Sequence, residues 1–83
     1  MNLCFFIGKI ISDIEFKFII NDKRYYSISI LKVELDNKSV VTVKAYNDTA
    51  DWCYKNLLKN DNVAIYGNLN SKMEVVVQEI EII

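Results

Sequence analysis

The chain has 83 residues, room for one domain (1–83) and one core, and about half of them are apolar (52%), which excludes an intrinsically disordered chain. Ten Lys and Arg against eleven Asp and Glu leave a net charge of −1, which excludes a protein that holds an anionic polymer by bulk charge alone; any such contact must come from where the lysines sit. No run is apolar enough for a membrane span, and the richest, Leu3 to Ile11, is interrupted by Gly8 and Lys9 and lacks a preceding basic segment; the chain is therefore expected to be cytoplasmic, with no membrane contact.

Strand character begins at once. The segment from about Asn2 to Ile20 alternates apolar and polar residues but is too long for one flat strand, and Gly8 and Ser12-Asp13 interrupt it. A glycine inside a strand marks a bulge or a sharp bend, so the segment is expected to turn a barrel corner there. After the polar cluster Asn21-Asp22-Lys23, with Arg24 beside it, a second strand runs from Tyr25 to Glu34. Tyr26, Ile28 and Ile30 share one side and Ser27 and Ser29 the other; Tyr25 is expected on the outward side. The turn Asp36-Asn37-Lys38 leads to a third strand, Ser39 to Tyr46, with Val41, Val43 and Ala45 inward and Val40, Thr42, Lys44 and Tyr46 outward.

The period then changes. Asn47 and Asp48 offer N-cap side chains, Ala50, Cys53 and Leu57 recur at i, i+3 and i+7, and Asp48 and Asp51 precede Lys55 and Lys59 in the order a helix dipole favours. A helix of about three turns is expected, stopped at Asn60, a residue that tolerates the left-handed conformation. Two more strands follow: Val63 to Leu69, with Val63 and Ile65 inward, and Met73 to Ile82. The order β-β-β-α-β-β with a long bent first strand predicts an all-β domain, a five-stranded OB-fold barrel with one helix between strands 3 and 4. Closure is favoured because an open sheet would leave the long first strand's edge exposed.

These residues also resemble the bacterial single-stranded DNA-binding protein family. Asn2 before the apolar run, Gly8 at its bend and Asp13-x-Glu15 downstream resemble the family's opening strand. Tyr46, Ala50, Leu57 to Asn60 and the pattern Val63-x-Ile65-x-Gly67-x-Leu69 look like its third strand, helix and fourth strand, and Tyr26 to Ile30 matches its second. The resemblance implies a ligand face on Val40, Thr42, Lys44 and Tyr46. Tyr46 falls where the family commonly stacks bases, whereas Val40 falls where many members carry a stacking Trp. It also implies homodimers or homotetramers and contacts with replication or recombination proteins. With the sequence ending at Ile83, no acidic C-terminal tail of the family's kind is expected.

On this reading Tyr46 and Tyr25 stack unpaired bases, Thr42 shares one surface with Lys44 and Tyr46, and Lys44, Lys32, Lys9, Lys38 and Lys72 meet phosphates. Trp52, one step off the helical stripe, is expected as a partial core lid or interface residue, and Lys23-Arg24 as turn decoration. The process served is replication, recombination or a plasmid or phage event. The rival is a protein-interaction module, with whichever of Phe5, Ile11, Leu31 and Val33 avoid the core forming its contact surface. Neither reading is enzymatic: there is no histidine and no glycine-rich phosphate loop, the aspartates fall in turns and at the helix start, and Asp13 and Glu15, close in sequence, match the structural Asp-x-Glu that the resemblance implies. Cys4 and Cys53 lack metal-site spacing and are expected as core thiols, so no metal or cofactor is expected.

Overall fold

A computed structural model describes residues 3–83; Asn2, one of the residues carrying the resemblance, lies outside them. The elements are β1 (Leu3–Ile10), β2 (Glu15–Asn21), β3 (Arg24–Leu35), β4 (Val40–Tyr46), α1 (Asn47–Asn56), β5 (Asn62–Leu69) and β6 (Val75–Ile82). The sheet order is β1-β5-β6-β4-β3-β2, and β1 also pairs with β3. Taken as two halves of one bent strand, β1 and β2 complete a closed five-stranded OB-type barrel, with the helix between its third and fourth strands. All pairings are antiparallel except the seam, where β4 and β6 run parallel through Val43↔Val75 and Lys44↔Val76.

The first strand breaks at residues 11–14, not at Gly8. There Ser12 takes over the ladder: its hydroxyl accepts the Lys32 N–H at 2.9 Å and donates to the Asp13 carbonyl at 3.0 Å. Gly8 stays in regular pairing, opposite both Val63 of β5 and Leu35 of β3. A Cβ there would lie 2.5 Å from Val33 Cγ1 and 2.6 Å from the Glu34 carbonyl oxygen, so Gly8 serves close approach of β3 at the closure point.

Ile10, Leu31, Val33, Val43, Val63, Ile65 and Val75 fill the interior, joined by Ala50, Cys53 and Leu57 of the predicted helical stripe. Alternation on β3 corrects the expected facing. Ser27, Ser29, Leu31 and Val33 point inward, and the serines are buried because they receive the helix. Ser29 Oγ donates to the Ala50 carbonyl at 2.7 Å, and the Ser27 hydroxyl lies 3.0 Å from Asp51 Oδ1 and 3.2 Å from the Asn47 carbonyl. With these bonds a polar side chain is satisfied in the core.

Tyr46, in extended conformation, precedes α1 without a side-chain cap bond, so Asn47 and Asp48 are not the caps expected. Extended backbone at Leu57 ends the helix. Asn60 does adopt a left-handed conformation (φ 80°), but in the turn beyond, where its N–H bonds the Ile10 carbonyl at 2.8 Å. Met73 also belongs to a turn (φ 62°), so the last strand starts at Val75.

In the β2–β3 hairpin Asn21 pairs with Arg24 across the two-residue loop Asp22-Lys23, and both loop residues have positive φ (47° and 68°). This is a type I′ geometry, which matches strand twist but favours glycine at its second position. Lys23→Gly should stabilise the fold by roughly 0.5–1 kcal/mol, read as a higher urea midpoint at unchanged slope; a lower midpoint would mean that the left-handed lysine is not strained.

Candidate nucleic-acid interface

Residues paired across adjacent strands share a side of the sheet, so the register assembles the outward face directly. From β4 it takes Val40, Thr42, Lys44 and Tyr46, opposite Glu34, Lys32, Ile30 and Ile28 of β3. On the far side of β3, Ile19, Lys17 and Glu15 of β2 lie opposite Tyr26, Ile28 and Ile30. The face is as long as the seven-residue β4, about 20 Å.

Its two ends differ. At the helix end the rings of Tyr46 and Tyr26 meet with centroids 6.0 Å apart and planes 46° apart. Tyr46 is 37% exposed and Tyr26 half-buried. At the other end lie the exposed Lys32 beside Thr42, and Lys38 in the β3–β4 turn. The parallel register of β6 with β4 brings the β5–β6 turn, with exposed Lys72, to that same end. Exposed Lys9 joins it at the barrel corner, paired with Glu34.

Of the expected members, one stands elsewhere and one is already paired. Tyr25 is 69% exposed but shares the parity of Ser27 and Ser29; its ring stacks on Phe18 at 5.5 Å on the opposite side of the hairpin. Tyr26, not Tyr25, is therefore the partner of Tyr46. Half of the signal was present: past the serines, odd positions continue into Leu31 and Val33 and even positions into Lys32 and Glu34, but only the helix that bonds Ser27 and Ser29 shows that a serine pair belongs to the buried side. Lys44 is on the face but ion-paired, its Nζ 3.0 Å from Glu74 Oε1, with both side chains about four-fifths buried. The hydrogen bond to Glu74 raises the Lys44 pKa. The Asn70 amide, and then Lys44, hold the Glu74 carboxyl below the usual carboxylate range. Sequence reading missed Glu74 and also Lys17, which pairs with Glu15 at 3.0 Å.

Off this face, Leu31 and Val33 are core residues and drop out as contact candidates, while Ile11 is half-buried and Phe5 is 58% exposed. Phe5 belongs to an exposed apolar row with Leu3 and Ile7 on β1. Trp52, 39% exposed, lines a shallow cleft between α1 and β6 with Gln78 and Ile80, away from the tyrosine pair. Burial pushes the Cys53 thiol up to about 11, which keeps it out of thiolate chemistry at neutral pH.

No protein-family model and no curated protein matches the chain. Solved structures do. The SSB domain of a Synechococcus protein superposes with a TM-score of 0.84 at 19% identity, over 98% of this chain and 94% of that one. The second single-stranded DNA-binding protein of Mycobacterium smegmatis gives 0.75 at 19% identity, over 100% of this chain and 87% of that one. A dimeric N-terminal domain of PriB protein from Thermoanaerobacter tencongensis gives 0.66 at 18% identity, over 99% and 96%. At such identities the likeness is one of fold, and it extends along the whole barrel.

Proposed function

We propose that this barrel binds single-stranded DNA without catalysis, on the outward face of β2, β3 and β4. Bases stack on Tyr46 and Tyr26, Thr42 offers a hydroxyl beside Lys32, and Lys32, Lys38, Lys72 and Lys9 meet the phosphates. The observation that carries the reading is the tyrosine pair, 6.0 Å between centroids, on one sheet face with exposed lysines at its far end. Stacking is sequence-tolerant because every base has a π face, so little base preference is expected. The structural neighbours named for single-stranded DNA binding support the same reading. It places the protein in the cytoplasm, in replication, recombination or a plasmid or phage process, beside the proteins of that process.

Self-association belongs to the proposal. On its side away from β5, β1 pairs with β3 only through Gly8, Lys9 and Ile10, leaving Leu3–Ile7 without a second strand partner among the described residues. The same segment carries the row Leu3, Phe5 and Ile7, 42–58% exposed. A strand edge combined with an apolar row favours a homodimer or homotetramer. The same row is the observation that favours the protein-interaction reading.

The test is an anisotropy titration with oligo-dT and a duplex control at two salt concentrations. Single-strand binding should weaken with a log–log salt slope of roughly −2 to −3, the release expected from three or four phosphate contacts. Absence of oligo-dT binding at low salt would sink the reading and leave the interaction module, whose mass light scattering reads.

A further inference from the structure

The cation nearest the centre of the proposed face is already held. Glu74, the last residue of the turn before β6, lies where Lys44 reaches it, and the contact is built rather than casual. Glu74 Oε1 takes the Lys44 ammonium at 3.0 Å and the Asn70 amide at 2.9 Å. Asn70 is fixed in turn, because its Oδ1 accepts the N–H groups of Lys72 at 2.9 Å and Glu74 at 3.0 Å. The turn is closed by the Asn70 N–H on the Glu74 carbonyl at 2.9 Å. The short β5–β6 connection thus delivers one preorganised carboxylate onto the binding face.

We infer that Glu74 is an intramolecular competitor for backbone phosphate at Lys44, setting single-strand affinity below what this face would otherwise reach. The inference rests on the single-stranded DNA reading. A phosphate and a carboxylate present the same chemistry to an ammonium: oxygen acceptors bearing negative charge. A strand lying across β4 must either displace Glu74 from Lys44 or pass beside an unmatched anion. Either way Lys44 contributes little, and the wild-type salt slope lacks its contact.

Glu74→Gln removes the charge, keeps an oxygen for Asn70 and frees Lys44. Oligo-dT affinity at low salt should rise by roughly 5- to 10-fold, and the salt slope should steepen by about 0.7, one added single-strand phosphate contact. Lys44→Gln in the Glu74→Gln background should abolish that gain. Glu81→Gln makes the same change of net charge on the part of β6 opposite Ala64 and should leave the slope unchanged. A thermal melt within a few degrees of wild type for Glu74→Gln establishes that the turn is intact.

If wild type binds and Glu74→Gln neither tightens binding nor steepens the slope, the competitor is wrong while the DNA reading stands. Equal gains from Glu81→Gln overturn it too, because they assign the effect to net charge. Absence of binding by both proteins at low salt overturns both claims.

Discussion

Gly67→Ala should remove a large part of the stability of this barrel. A Cβ at Gly67 would lie 2.2 Å from the Val76 carbonyl oxygen and 3.0 Å from its carbon. Those are backbone atoms of the neighbouring strand, so no rotamer change relieves the clash. The position is also a junction: the β5–β6 register shifts between Tyr66 and Gly67, and Gly67 pairs with Cys4 on its other side. Moving β6 away disturbs Val75 and Val76, which pair with β4 and close the barrel. The expected cost is about 3–5 kcal/mol, against about 4–12 kcal/mol for a domain of this size. At about 4–8 °C per kcal/mol, thermal melting should fall by more than about 12 °C. A shift smaller than about 4 °C, one kcal/mol on that scale, would show that the strands separate freely and that the close approach is incidental.

The second large effect concerns binding. Tyr46→Ala and Tyr26→Ala should each weaken oligo-dT binding by roughly 5- to 150-fold, the range for removing one stacked base. Tyr25→Ala should change it less than about two-fold, because its ring lies with Phe18 on the other side of the hairpin. The contrast is diagnostic, since Tyr25 and Tyr26 are adjacent and chemically identical. The two rings of the pair touch, so the double substitution should fall short of the sum of the singles. Tyr46 also opens α1, and circular dichroism of Tyr46→Ala should show the helix retained. A loss with Tyr25→Ala and none with Tyr26→Ala would overturn the face described for β3.

Much of this was legible in the chain. Ala50 and Cys53 of the helical stripe are buried as their spacing required, Leu57 is buried just past the helix end, and the inward parity of β4 and β5 follows local alternation. Element order was enough for a closed barrel, because each of these patterns is set within a few residues along the chain. Two decisions were not local. Ser27 and Ser29 read as a polar outer side until the helix supplied their acceptors 20–24 residues away, and that choice sends Tyr26 rather than Tyr25 to the face of Tyr46. Lys44 read as a free cation until the parallel seam set it beside Glu74. Alternation along a strand tells which residues go together; which side faces in, and which charges meet, depends on contacts that exist only once the barrel has closed.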